Sequence, residues 1–432
     1  MRLPKTCLLL LLCAPALPAA PTVCRVEPTT YAGWEALQMS NAWVKLAIVP
    51  RLGGRLMQVT FGGHEYLFVN EQLKGQYLPP DPKRWFNYGG DKIWPMPEGS
   101  DDERHWAGAA GQPLDSGAFA AQIVAQGETC TVRLTSPPDP QIGQQYIREI
   151  SIGTDSPAIA FHAVMKNVSG YPQEWSEQSV SQYNTADSKE PTQPNPDFWA
   201  FVPANPQSAF LNGYHVRTGS ASTPGYAVRD GLFTVHTANA GGEVWIDSTA
   251  GWLAVVDGAS QFTMVERFPY HRNAEYPGRS TAIFFTTGGR SASRPSNFYL
   301  EAEINSPMVR LDPGETYALD TWWCPTRMGS DLKNATYAGV VGEPLAAAST
   351  PNGLTLSGEF GVFFAGQLDA RFYDRRGVRL GAAPVQQVSP LELIVLQQSV
   401  TAPEDTFRVS LHLLDEHGLD RGPLGEAFVG QP

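Results

Sequence analysis

The chain has 432 residues, 42% of them hydrophobic and 17% charged, with a formal net charge of −12. That is enough apolar material for a large core in two or three domains. The acidic balance argues against nucleic acid or an anionic membrane surface as a partner. With 41 Gly, 36 Pro and 11 Trp, the composition favours many short strands and turns over long helices.

Residues 1–20 read as a signal peptide. Arg2 and Lys5 are basic, Leu8–Cys13 is a short apolar run, and Ala14-Pro15-Ala16 and Pro18-Ala19-Ala20 offer small-residue cleavage sites. The run is too short to span a bilayer, and no later segment is long and apolar enough to do so. The expectation is an exported, soluble protein, periplasmic or extracellular, with no membrane insertion. Cys24, Cys130 and Cys324 then permit one disulfide and one spare thiol. Cys24–Cys130 is one of the pairings, and the spacing does not choose among them.

The alternation begins at Val44, Leu46 and Ile48, with Lys45 on the other face, which predicts a half-buried strand. Leu56–Phe61, Gly62-Gly63 and Glu65–Val69 read as a β-hairpin. Residues 70–116 read as one long loop, and its tryptophans, Trp85, Trp94 and Trp106, argue against disorder. Short strands then recur at Ala121–Ala125, Thr129–Thr135, Gln145–Ile152, Ile159–Asn167, Gln173–Tyr183, Leu232–Thr237, Glu243–Asp247, Leu253–Val256, Phe262–Arg267, Thr281–Thr286, Phe298–Ile304 and Tyr317–Trp323. No βαβ rhythm appears, so an antiparallel sandwich is expected over 25–327. Residues 328–352 read as a linker, with Met328–Ala348 the best helical candidate. A second, smaller β-sandwich, compatible with an immunoglobulin-like form, is expected over 353–430.

Two segments point to chemistry. Asn87-Tyr88-Gly89-Gly90-Asp91-Lys92-Ile93-Trp94-Pro95-Met96-Pro97-Glu98-Gly99 combines an amide, charges and aromatic rings between Gly and Pro breaks. Aromatic faces beside fixed polar groups suit a ligand with C–H patches and many hydroxyls, which a sugar has. Trp85 and Trp94 could stack on such a ring or pack beneath the loop. Asp91 and Lys92 could each reach a ligand or stabilise the loop. In Tyr299–Asn305, the period of two puts Leu300, Ala302 and Ile304 toward a core and Glu301 and Glu303 together on the opposite face. In a cleft, crowding and burial would raise one carboxyl's pKa, as an acid/base pair requires. On an open face they would be solvated. Arg55 could hold a hydroxyl or form a structural ion pair. His271, in a polar-aromatic loop, could supply an acid or lie on the surface.

Val49-Pro50-Arg51-Leu52-Gly53-Gly54-Arg55-Leu56, the hairpin ending His64-Glu65-Tyr66-Leu67, and Glu301-Ala302-Glu303-Ile304-Asn305-Ser306-Pro307 ahead of Leu311–Thr316 resemble the galactose-mutarotase-like superfamily. Asn87–Pro95 resembles a secreted bacterial branch of it, a domain of unknown function. The resemblance covers about 35–325 and implies an antiparallel β-supersandwich with a carbohydrate ligand. It implies Glu303 as the base of an aldose epimerase. It also implies a histidine acid near the start of a mid-chain strand, yet Asn167–Asn184 holds none; Glu177 is the carboxyl there that could take the part. No cofactor or metal is implied. The functions open at this point are a sugar-active enzyme working at or near the anomeric carbon, a non-catalytic carbohydrate-binding protein, and a structural envelope protein. Oligomeric state is not readable.

Overall fold

The structure is a computed structural model that describes residues 23–99, 105–220, 223–287, 297–351 and 353–430. The expected signal peptide, 1–20, lies outside the described residues. As the sequence predicts, the fold is mainly β and antiparallel. Two large sheets face each other. One runs in the order Arg25–Tyr31, Trp34–Ser40, Val44–Val49, Arg55–Phe61, Asp91–Met96, Gln173–Asn184, Tyr299–Asn305, Ala282–Thr286, Gly242–Ile246, His215–Val216. The other runs Tyr226–Arg229, Leu232–His236, Phe198–Pro203, Trp252–Asp257, Phe262–Arg267, Thr316–Arg327, Ile159–Asn167, Gln144–Gly153, Thr129–Thr135, Ala120–Ala125. For brevity these are the front and back sheets.

The core lies between them. Leu46, Ile48, Leu300, Ala302, Ile304 and Phe284 of the front sheet pack with Ile150, Phe161, Val255 and Met264 of the back sheet. Gln144–Gly153 alternates buried and part-exposed residues without a break, the pattern of a strand with one wet face. Asp91–Met96 and Tyr299–Asn305 are instead buried along their whole length. Both faces of these central strands are covered, one by the core and the other by overlying loops. Cys24 and Cys130 form a disulfide with Cα atoms 5.8 Å apart, tying the start of the chain to the back sheet, while Cys324 is a buried free thiol. No helix among the described residues is long and apolar enough to cross a membrane.

Two expectations are corrected. Residues 70–116 are not one loop, because Asp91–Met96 is a central strand, paired with Gln173–Asn184 from Ser181↔Asp91 to Ser176↔Met96. Its opening Asp-Lys and its internal proline hide the strand in the sequence. Both charges are in fact buried against partners, Asp91 against Arg148 and Lys92 against Glu301. The described residues of 328–352 carry no helix either. Asn334–Ala335, Gly339–Val341 and Ala346–Thr350 are short strands, and the latter two pair with Gly353–Val362. Ala346, Ala347 and Ala348 have helical propensity, but the sheet's pairing with Ser357, Leu356 and Thr355 overrides it.

This C-terminal unit is a sandwich with its own core, including Leu356, Phe360, Leu368, Phe372, Leu411 and Leu413. It docks on the outer face of the back sheet. There Phe201, Trp252, Val256 and Val265 form one apolar cluster with Met328, Leu332, Val340 and Phe363. Thr326 donates a hydrogen bond to the Val362 carbonyl, and Arg421 bridges to Asp155 at 3.0 Å.

Candidate functional site

The outer face of the front sheet carries a cleft of about 500 Å³. Its floor follows from strand register. Glu303 lies opposite Val180 on one side and Ile283 on the other, and Glu301 lies opposite Gln182 and Phe285. Glu243 and Trp245 continue those rows on the next strand, opposite Phe285 and Ile283. Side chains two residues apart share a face, so Glu301 and Glu303 both point away from the core toward the cleft. Trp85, Trp94, Met96 and Gln178 line one side, Arg217, Glu243 and Trp245 the other, and Glu98 with Ala107–Ala110 closes over it.

The two carboxylates are held by amides from the neighbouring strand. Gln178 donates to Glu303 Oε2 at 2.7 Å, and Gln182 donates to Glu301 Oε1 at 2.7 Å. Lys92 Nζ lies 3.3 Å from Glu301 Oε1 and 4.4 Å from the centre of the Trp94 ring. Across the cleft, Arg217 lies 3.8 Å from Glu243 and stacks over Trp245 at 4.8 Å, while the Trp245 indole N–H donates to Glu243.

Charge crowding in this enclosed space shifts several groups. Burial, then the Glu301, Glu243 and Glu98 carboxylates, push the Glu303 carboxyl well above the usual carboxylate range. Enclosure, then Glu243 and Glu301, push Glu98 up to about 7. Glu98 keeps solvent access at the cleft mouth, so both its charge state and its proton are open to exchange. Burial lowers the Lys92 ammonium, an effect that Glu301 opposes. Gly108, at φ +92°, leaves space for Glu98, since a Cβ there would sit 2.8 Å from Glu98 Oε1.

Of the residues singled out from the sequence, the cleft brings together Glu303, Glu301, Trp94 and Trp85, with Lys92 beneath the tryptophans. Five others lie elsewhere. Arg55 is fully buried and donates to Asp115 Oδ1 at 2.7 Å and to the Gly89 carbonyl at 2.9 Å, so it is a structural ion pair. Asp91 points to the opposite face of its strand from Lys92 and pairs with Arg148 in the core. Glu177, two residues from Trp175 on the inward face, is buried in the sandwich interior, where burial raises its carboxyl well above the usual range. Asn87 does not line the cleft; its Oδ1 accepts from the Gly89 N–H and its carbonyl from the Asn70 amide, which shapes the turn before the strand. His271 is exposed and does not line the cleft.

Sequence reasoning missed Gln178, Gln182, Arg217, Glu243 and Trp245, and gave Glu98 no role. A signal for some of them existed. Gln178 and Gln182 have the even spacing that puts them on one strand face, and Glu243 and Trp245 alternate with the core residues Val244 and Ile246.

Residues 34–325 match the family model described as a domain of unknown function, DUF4380. No functionally curated protein matches the sequence. Similar solved structures include the protein Slr1438 of Synechocystis sp. PCC 6803, 12% identical over 70% of this chain and 96% of that one, with a TM-score of 0.49. A galactose mutarotase-like protein of Clostridium acetobutylicum is 9% identical over 71% of this chain and 99% of that one, with a TM-score of 0.48. A TPR-domain containing protein of Parabacteroides distasonis is 17% identical over 68% of this chain, with a TM-score of 0.47; the match spans 47% of that protein's length.

Proposed function

The chain belongs to the DUF4380 family, and we propose that its cleft binds a carbohydrate and moves protons at or beside the anomeric carbon. The observation that carries this reading is the pair Glu301 and Glu303, side by side on one strand. Each is gripped by a glutamine amide on the floor of a cleft walled by Trp85, Trp94 and Trp245. Aromatic faces take the C–H patches of a sugar ring, and fixed carboxylates and amides take its hydroxyls.

Opening an aldose ring removes a proton from the anomeric hydroxyl and delivers one to the ring oxygen. Glu98, poised near 7, takes the hydroxyl proton. Glu303, kept protonated by burial and by its carboxylate neighbours, gives its proton to the ring oxygen. The C1–O bond electrons go to the ring oxygen, and the hydroxyl oxygen's electrons form the carbonyl. Closure on the other face reverses both transfers. The resemblance to galactose-mutarotase-like epimerases gives Glu303 the base's part, whereas burial and the neighbouring carboxylates of this cleft favour starting the cycle with Glu303 as the acid. Glu301, engaged by Lys92 and Gln182, orients a hydroxyl.

The test is anomer exchange followed by NMR over a panel of aldoses. Glu303→Gln and Glu98→Gln should each abolish exchange while sugar binding persists. The wild-type rate should rise with pH through about 7, as Glu98 loses its proton, and fall where Glu303 loses its own. Binding without exchange on any sugar would leave the second reading, a non-catalytic carbohydrate-binding protein. That reading is favoured by one observation: no histidine is among the described residues lining the cleft. No binding to any sugar would overturn both.

A further inference from the structure

The cleft does not end at Glu98. Met96, Glu98, Gly99, Arg217 and Trp245 line both the cleft and a second hollow of about 640 Å³. Pro97 and His105 in turn line both that hollow and a third, of about 690 Å³. The third is bounded by the Tyr171 ring, which is 60% exposed, by Trp175, and by the facing pair Glu174 and Arg310. Each segment alone has the volume of an ordinary small-ligand site, roughly 300–1,000 Å³. One sugar ring against Glu303 occupies only the first.

We propose that the three hollows are one groove, and that the natural ligand is a neutral oligosaccharide chain whose reacting unit sits at Glu303 and whose further units run past Pro97 and His105 toward Tyr171. This rests on the carbohydrate reading above and extends it from a single sugar to a chain. The lining repeats the same chemistry along its length. An aromatic side chain accompanies polar side chains in each segment: Trp94 with Gln178, Trp245 with Arg217, and Tyr171 with Gln141 and Arg310. With Glu303 holding its proton, the carboxylates Glu98, Glu174, Glu243 and Glu301 still outnumber Lys92, Arg217 and Arg310, which disfavours a polyuronate chain.

The experiment is calorimetric titration of the full chain with ladders of one to six sugar units. The ladders are β-1,4-linked glucose, mannose, xylose, galactose and N-acetylglucosamine, α-1,4-linked glucose, and α-1,4-linked galacturonate. At least one neutral ladder should tighten by roughly tenfold or more between the monomer and the tetramer, and the galacturonate ladder should not. Tyr171→Ala and Arg310→Ala, both at exposed positions, should each shrink the tetramer-to-monomer affinity ratio, with far-UV circular dichroism confirming that they fold. Measurable monomer binding with flat neutral ladders would overturn the groove and leave the sugar reading standing. A gain confined to galacturonate would overturn the neutral class. No binding at any length would sink the carbohydrate reading and the groove with it.

Discussion

Replacing Arg55 by methionine separates a structural cation from a ligand-binding one. The Arg55 and Asp115 side chains are enclosed, at 0% and 1% exposure, with Nη2 2.7 Å from Oδ1. Arg55 also donates to the Gly89 and Asp115 carbonyls at 2.9 and 3.1 Å. Arg55→Met leaves Asp115 as a buried charge without its partner and two carbonyls without a donor. Removing one partner of such a pair costs about 3–5 kcal/mol, a large share of the roughly 5–15 kcal/mol that holds a domain folded. Arg55→Met/Asp115→Leu removes the stranded charge and should recover about 2 kcal/mol, with the carbonyls still unmet. Urea titration measures both, and sugar affinity measured under folding conditions should match the wild type. If Arg55→Met costs less than about 1 kcal/mol, or removes sugar binding from a stable protein, the assignment of Arg55 to structure is wrong.

Other outcomes follow from the same interior. Glu266 is buried between the sheets, takes hydrogen bonds from Tyr183 and Ser181, and is pushed by burial from 4.5 up to about 8. The folded state therefore holds this proton more tightly than the unfolded one. Stability should be highest below about pH 4.5 as far as this group is concerned, and should decline by a few kcal/mol as pH rises to about 8. Glu266→Gln should flatten that decline in urea titrations at pH 5 and pH 9; an unchanged slope would show that Glu266 does not titrate there. Cys24→Ser/Cys130→Ser opens a link between residues 106 apart, which should cost about 4–5 kcal/mol on the chain-entropy account. Adding reductant to the wild type should reproduce the loss, and equal stability with and without the bond would contradict it.

The sheet pattern was legible in strands such as Gln144–Gly153, where one face is wet and alternation survives in the sequence, but Trp34–Ser40 and Arg379–Val388, also wet on one side, were passed over. It failed at Asp91–Met96, where both faces are covered and the residues that look like loop charges are ion-paired inside. It failed again at Ala346–Thr350, where helical propensity lost to pairing with Gly353–Val362. At the site, strand period alone put Glu301 and Glu303 on one face. It could not supply their partners, because Gln178 and Gln182 lie more than a hundred residues away and meet them only through sheet register. Glu177 was misplaced for a related reason, whereas Arg55 took the structural ion-pair reading of the two left open. Gln173–Asn184 is polar on both faces, so its alternation does not mark which side meets the core.

The docking of the C-terminal sandwich on the back sheet fixes the polarity of the whole molecule. Its anchor residues, Phe201, Trp252, Val256 and Val265, lie on the far side of the core from Glu303. A resin, an envelope surface or a fused protein that grips the terminal sandwich would therefore hold the molecule by its back, leaving the groove turned outward and unobstructed. Cutting the chain near residue 328 would do the reverse of simplifying it, since the trimmed two-sheet domain would carry a bare oily patch that sticks to its own copies.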